Sequence, residues 1–156
     1  MAVYTAPFSA ISVSAAQDLW ELLAHASSRV RIREIRFGQY SDAGSVEAEL
    51  LAVTFRTGAT VSGSGGSTIT PTNVSRLTGG MTAVTVVERN NTTQAGTSDT
   101  LIWADAWNVQ APFLYLPAED DQRFIIEKET RFVVTLSAPA DAITMNGTIT
   151  FEEIGQ

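Results

Sequence analysis

Apolar and polar residues alternate along most of this chain with a period of two, which is typical of β-strands that are buried on one face. The alternation is clearest in Arg131–Leu136 and in residues 145–151. It also runs through Arg29–Gln39, where the apolar phase changes sides between Ile32 and Ile35. Such a change predicts a bulge, a bend or a crossing between two sheets, because a one-residue shift exchanges the faces of a strand.

A second segment, residues 46–57, changes phase in the same way and predicts an antiparallel hairpin with Arg29–Gln39. In this hairpin the two phase changes coincide. It sets these residues opposite each other: Val30 and Phe55, Ile32 and Val53, Ile35 and Leu50, Phe37 and Ala48, Arg36 and Glu49, and Arg29 and Arg56. The alternative is a Greek-key sandwich in which the two segments lie in different sheets and residues 40–45 cross between them.

The first 28 residues predict one extended segment and one helix. Residues 1–13 form an extended N-terminal arm or first strand, and Pro7 favours a position at the edge of a sheet. A capping box then begins a short helix, which we expect to cover an open end of the β core. The residues concerned are Ser14 and Gln17 for the capping box, Ala16, Leu19, Trp20 and Leu23 for the apolar face, and Ser27 and Ser28 for the end.

Residues 58–80 predict a long loop, because they contain six of the eleven glycines, interleaved with Ser and Thr. We expect this loop to be flexible and to contact a neighbouring molecule. Further strand patterns, and a turn between two of them, complete the chain. The strand patterns are residues 82–89, 99–109, 112–116 and 123–127, and the turn is at Asn90 and Asn91.

Together these elements predict an all-β protein in a single domain that spans residues 1–156. The predicted architecture is a jelly-roll-like β-sandwich of about eight strands with one short N-terminal helix. An immunoglobulin-like sandwich is the second choice, because the chain has no cysteine pair.

Composition and charge exclude several classes of function. The formal net charge is −7, so the overall field repels nucleic acid. No run of about 18 apolar residues is present, which predicts no membrane span. The chain has no cysteine and one histidine, His25, so a thiolate site, a histidine-based triad and a multi-histidine metal site are excluded within one chain. We therefore predict that the protein is not an enzyme and binds no cofactor, metal, nucleic acid or membrane.

Several patterns resemble sites of chemistry, and for each one the residues favour a structural role. Residues 63–67 are rich in glycine but lack the ending of a phosphate-binding loop. Residues 119–121 are acidic without the spacing of a Ca²⁺ loop. We expect Asp105 to be paired rather than a general acid, and His25 to satisfy carbonyls at the helix end. Four rings are expected in the core rather than on a sugar-binding surface: Trp103, Trp107, Phe113 and Tyr115.

Three stretches and the closing run resemble one group of proteins. The stretches are Phe37-Gly-Gln-Tyr-Ser-Asp, residues 58–71, and Trp103-Ala-Asp-Ala-Trp-Asn-Val; the closing run is residues 136–155. They resemble small proteins encoded beside the structural genes of tailed phages and prophages. The resemblance spans most of the chain and implies a virion component similar to capsid decoration (cement) proteins. It carries over no catalytic residue.

The function implied by this resemblance is structural. The protein would decorate and stabilise a phage capsid by bridging capsomers as a homo-oligomer, most simply a trimer, with the major capsid protein as its partner. It would be made in the host cytoplasm and located at the capsid surface. The alternative is a carbohydrate-binding or receptor-binding module of a phage tail or fibre, with Trp103, Trp107 or Tyr115 as a stacking surface. The residues predicted to form interfaces are Val3, Tyr4, Phe8, Arg29, Arg31, Arg33, Ser64, Thr68 and Ile69.

Overall fold

The computed structural model describes residues 2–41, 49–75, 80–96 and 99–155, and these form two antiparallel β-sheets. The strands are β1 (Ala2–Val13), β2 (Gln17–Leu23), β3 (Arg29–Gln39), β4 (Leu50–Thr57), β5 (Ser67–Ile69), β6 (Thr72–Asn73), β7 (Val86–Asn91), β8 (Thr100–Asn108), β9 (Phe113–Tyr115), β10 (Ile125–Ile126), β11 (Arg131–Leu136) and β12 (Ile143–Ile154). Sheet 1 has the order β10-β3-β12-β1-β6, and β9 also pairs with β3. Sheet 2 has the order β5-β7-β2-β11-β4-β8.

Successive long strands alternate between the two sheets. The first four, β1 to β4, fall in sheets 1, 2, 1 and 2. The chain then returns antiparallel along the same path, because β8 pairs with β4, β9 with β3, β11 with β2 and β12 with β1. The backbone is therefore a long ribbon of paired strands wrapped across both sheets, with β5, β6 and β7 inserted between β4 and β8.

One hydrophobic core draws its side chains from both sheets. Phe37 of β3 stacks on Phe113 of β9 with ring centroids 4.5 Å apart, and Phe55 of β4 stacks on Trp103 of β8 at the same distance. Trp20 is fully buried, and its Nε1 donates a hydrogen bond of 2.9 Å to the carbonyl of Ala6. Each buried aromatic side chain of this kind contributes about 1.5–3 kcal/mol through the area removed from water.

The prediction of an N-terminal helix is wrong, because Gln17–Leu23 is strand β2, in the middle of sheet 2. The described residues contain no α-helix, and Asp120–Gln122 is a short 3-10 helix. Leu19 is an extra residue between the register pairs of Trp20 and Asp18 with β11, so two adjacent apolar side chains both reach the core. This bulge reproduces the spacing of an apolar helical face over one turn.

The predicted hairpin between residues 29–39 and 46–57 is wrong, and the alternative placement of the two segments in different sheets is correct. Strand β3 lies in sheet 1 beside β12, whereas β4 lies in sheet 2 between β11 and β8. Arg36 therefore faces Thr148 of β12 instead of Glu49. Part of the predicted hairpin, residues 42–48 with Val46 and Ala48, lies outside the described residues.

The phase change inside β3 is confirmed as a bulge. Glu34 pairs with Thr150 and Ile32 pairs with Phe151, which leaves Arg33 as the extra residue. Val30 and Ile32 are buried on one side of the bulge, and Ile35 and Phe37 on the other, so both halves of the strand supply the same core.

The predicted first strand is β1 (Ala2–Val13), and Pro7 lies where that strand is exposed at an edge. Strand β6 pairs with β1 only at Tyr4 and Thr5, so no described strand adjoins Pro7 on that edge, and the N–H that proline lacks is not needed for a ladder hydrogen bond there. The segment 58–80 contains the short strands β5 and β6, and residues 76–79 lie outside the described residues.

Replacing Gly147 of β12 with alanine should destabilise the protein. A Cβ at this position would lie 2.7 Å from Cη2 of Trp20 and 2.8 Å from Cε1 of Phe8, two fully packed rings. Overpacking of this kind costs about 1–3 kcal/mol of unfolding free energy, to be measured by urea denaturation.

The matched control is Gly38→Ala on the neighbouring strand β3. Its nearest atom would be Cα of Pro112 at 3.9 Å, an ordinary contact. Equal losses in the two variants would contradict the packing described around Gly147.

Candidate functional site

Two of the residues predicted to form interfaces lie in the core. Tyr4 is fully buried and Phe8 nearly so, because both point inward from β1. They are not available on the surface of this chain. Val3, Arg31, Arg33 and Ile69 are partly buried, and Arg29, Ser64 and Thr68 are exposed.

The three predicted interface arginines are bound to carboxylates of the same chain. Arg31 and Arg33 donate from Nη1 to the two oxygens of Glu152, at 2.8 and 3.0 Å. Glu152 is only 1% exposed, so its charge is neutralised by this pair of guanidinium groups. Arg29 bonds Glu127 at 2.8 Å on the surface. An interface role for these arginines stays a prediction. It would involve side chains that already form ion pairs within this chain.

The glycine-rich segment covers the outer face of sheet 2. We define the sheet 2 cover as residues 58–66 and 92–96, which are joined by a hydrogen bond of 2.9 Å from Gly96 N–H to the Val61 carbonyl. Beneath it, Ala59 and Ala95 pack with Val133 of β11 as a second small apolar cluster. The expected flexible loop to a neighbouring molecule is thus packed against its own sheet over these residues.

Glu21, on the outward face of β2, holds one part of the cover. Its two oxygens accept hydrogen bonds from Ser62 Oγ at 2.6 Å and from Gly63 N–H at 2.9 Å. Asn91 donates from Nδ2 at 3.2 Å, and Arg131 donates from Nε. Glu21 is 3% exposed, and these four donors replace the water that its carboxylate has lost.

Asp18, also on β2, holds the other part. It is fully buried and accepts hydrogen bonds from Ala95 N–H at 2.6 Å and from Thr135 Oγ1 at 2.8 Å, with Arg56 Nη2 at 3.5 Å. Burial raises the pKa of Asp18, and these donors and the arginine oppose that rise. The second acid of this group, Asp99, lies 3.0 Å from Arg56 Nη1.

The aromatic rings proposed as a sugar-binding surface belong to the core. Trp107 is 3% exposed and meets Phe37 edge to face with ring centroids 5.0 Å apart. Trp103 and Tyr115 are partly buried against Phe55, at 4.5 and 5.2 Å. Trp107 and Phe113 are buried, and Trp103 and Tyr115 pack against the same core, so the core interpretation is correct.

Asp105 lies between those rings on β8, the outermost strand of sheet 2. Its side chain is exposed, and its Oδ1 accepts a hydrogen bond of 2.8 Å from the N–H of Ala106, the next residue on the same strand. No second carboxylate contacts Asp105 within the described residues, and this arrangement supports no general-acid role.

The other candidate groups are also structural. In the acidic segment, Asp120 pairs with Arg123 and lies 3.9 Å from Arg31. No group of three or more potential metal ligands occurs within the described ranges.

His25 follows a strand rather than a helix, so its expected role at a helix end is wrong. Its Nδ1 lies 2.8 Å from Ser27 Oγ in the turn before β3. Among all the described residues, no helix is long and apolar enough to cross a bilayer.

Sequence reasoning missed one apolar surface. Leu114 and Leu116 are each 58% exposed and Ile125 is 49% exposed, and we call these three residues the β9–β10 strip. Leu114 lies opposite Arg36 and Ile125 opposite Arg31, so both side chains are on the outer face of sheet 1. The signal was present in the sequence, because Leu114 alternates with the inward rings on either side of it.

Comparisons with known proteins give little to set beside this geometry. No family model matches the chain, and no curated protein matches it. A solved structure of infectious bursal disease virus, Gt strain, aligns with 99% of this chain and 42% of that chain, at 14% identity and a TM-score of 0.15. This chain therefore spans less than half the length of that protein, and a TM-score this low carries no argument about fold or function.

Replacing Glu21 with alanine should destabilise the protein strongly. The change leaves Arg131 without its acid and removes the acceptor for Ser62 and Gly63, so the buried donors lose their partner. Breaking a buried pair in this way costs about 3–5 kcal/mol of unfolding free energy, measured by urea denaturation.

The control is Glu127→Ala, which removes an exposed pair with Arg29 and should change stability by less than about 1 kcal/mol. Similar losses in both variants would show that the buried network does not hold the cover.

Asp18 should make stability depend on pH. Because burial raises its pKa in the folded state, folding favours the protonated carboxyl. The contribution of Asp18 to the unfolding free energy is fully present below its unfolded pKa and is lost as pH rises through the folded pKa. The unfolding free energy of the wild type minus that of Asp18→Asn should therefore fall as the pH rises above the ordinary aspartate pKa of about 3.8. A difference that rises with pH would contradict the direction of the shift.

Proposed function

We propose that this protein is a jelly-roll structural protein of a tailed-phage virion, which decorates the capsid and stabilises it by bridging capsomers. The observation that carries the proposal is the nested strand pairing. A jelly roll forms when a long antiparallel ribbon wraps around a core, so that the first strand pairs with the last and each following strand with the one before it from the end. This chain has four such pairs, β1 with β12, β2 with β11, β3 with β9 and β4 with β8.

This architecture is common in viral capsid and lectin domains and in cupins, so the fold alone does not select a function. The composition of the described site residues favours a structural role. The buried acids Asp18, Glu21 and Glu152 are all bound to arginines or backbone donors, which fits residues that hold segments together. The sequence resemblance to small proteins encoded beside phage structural genes supports the virion assignment.

The β9–β10 strip is the surface that we assign to capsid binding. Leu114, Leu116 and Ile125 expose apolar area, and Leu114 lies opposite Arg36, whose side chain is 65% exposed. Exposed aliphatic side chains next to arginine are typical of the buried centre of protein interfaces. Many copies on a symmetric shell then add their weak contacts through avidity, most simply as trimers that each touch several capsomers.

The test is binding to undecorated capsids, assembled from the major capsid protein encoded nearest to this chain. The wild type should co-sediment with the shells and raise their resistance to heat. Leu114→Glu, alone and with Ile125→Glu, should abolish co-sedimentation because each places a charge in the contact.

Leu101→Glu is the matched control, because Leu101 is also 58% exposed but lies at the edge of sheet 2. It should bind as the wild type does. Absence of wild-type binding at micromolar protein would refute the decoration function. Normal binding by both strip variants would refute the assigned surface alone.

A further inference from the structure

A cavity opens between the two sheets, away from the β9–β10 strip. Its volume is about 390 Å³, within the range of small-ligand sites. One wall is the β1 segment of residues 10–12, and the facing wall is formed by Gly65, Gly66 and Ser67 and by the end of β7. The glycines are required here, because a Cβ on Gly66 would collide with the carbonyl of Arg89 and one on Gly65 with the Thr92 hydroxyl.

Arg89, at this cavity, is the one described arginine without a carboxylate partner. Every other arginine in the described ranges forms an ion pair, in a protein with a net charge of −7. Its Nε donates to Ser67 Oγ at 3.3 Å and its Nη1 donates to the Pro7 carbonyl, so the guanidinium is held in place by neutral groups. Its Nη2 makes no hydrogen bond within the described residues, and a fixed guanidinium with free N–H groups is suited to a carboxylate.

The backbone around the cavity is strained at two points. Ala10 has φ of 56° and Asn90 has φ of 57°, both in the left-handed region that non-glycine residues rarely occupy. Each residue lines the cavity. Strain held in place by surrounding structure concentrates at functional sites, and the bulge of β1 between Phe8 and Ile11 brings Ala10 to this wall.

The chemistry of the lining selects the ligand. Ser12, Ser67 and Thr92 supply hydroxyl groups beside the Arg89 guanidinium, and no acidic residue lines the cavity. Asn90 also lines the cavity, but its Nδ2 is buried, so we assign it no contact with the ligand. One cation and several hydroxyls match a ligand with one carboxylate and several hydroxyl groups.

We propose that the cavity between residues 10–12 and 65–67 is a binding site for an acidic monosaccharide of the uronate class, with its carboxylate on Arg89. The singly charged ligand is favoured over a polyanion because the rest of the protein is acidic and only one guanidinium is available. This site uses none of the residues of the β9–β10 strip, so it does not depend on capsid binding.

The experiment is a titration of the isotope-labelled full chain with sodium D-glucuronate, followed by two-dimensional NMR. The backbone amides of Gly65 and Gly66 and the side-chain amide of Asn90 report directly on the cavity. We expect saturable shifts of these signals with a dissociation constant of about 1–10 mM, and much smaller shifts with D-glucose. Arg89→Gln should weaken glucuronate binding by about tenfold or more, since a charge-assisted hydrogen bond is lost.

Two further variants keep the test sharp. Ser12→Glu adds a negative charge at the exposed rim without changing Arg89, and it should also abolish the shifts. Arg36→Gln, on the outer face of sheet 1, removes the same charge elsewhere and should leave binding unchanged. The dispersion of each spectrum shows whether the variant is folded.

Several outcomes would overturn the proposal. These are the absence of saturable shifts up to about 20 mM glucuronate, equal binding of D-glucose, or unchanged binding in both Arg89→Gln and Ser12→Glu. Tighter binding of inorganic phosphate than of glucuronate would overturn the assignment to a carboxylate sugar.

Discussion

Two carboxylates on the outward face of β2 decide how the second sheet is covered. Asp18 and Glu21 lie where an antiparallel sheet usually meets water, yet both are buried. A buried carboxylate is tolerated only when donors surround it, so the chain must bring backbone N–H groups and arginines to these two points. Residues 58–66 and 92–96 supply the N–H groups, and β4 and β11 supply Arg56 and Arg131. The path of the glycine-rich segment follows from this requirement.

Alternation of apolar and polar residues predicted most of β12, which has one buried face and one wetter face, and the bulge of β3 was visible as a change of phase. Strand β11 was predicted in the same way, because Phe132, Val134 and Leu136 alternate with other residues, although both of its faces are buried. Strand β2 was not predicted because its outward residues are covered, and its run of six buried residues has no period of two. Apolar runs of that length do not distinguish a buried strand from a helix. The polar members of the run, Gln17, Asp18 and Glu21, were the signal that a cover lies over this strand.

The sequence pattern did not predict which strands pair with each other. The phase changes of β3 and of residues 46–57 coincide in a hairpin register. The bulge of β3 instead arises in its pairing with β12, where Arg33 is the extra residue, and β12 lies about a hundred residues away in the chain. Strand pairing in this fold is long-range almost throughout, because the ribbon closes the ends of the chain on each other. The candidate cavity was hidden for the same reason: Ser12, Ser67 and Arg89 are brought together only by the pairing of β5 with β7 and the bulge of β1.

The free edge of β8 has a consequence for assembly. Ala52 directs its carbonyl to Ser137 N–H, away from β8, so its partner Ala106 turns its N–H toward the open edge, where Asp105 occupies it. A strand arriving from another molecule would have to displace that carboxylate and desolvate it beside Trp103 and Trp107. An exposed edge strand is a template for pairing with a strand of another chain, so a carboxylate at this position disfavours the extension of sheet 2 beyond β8.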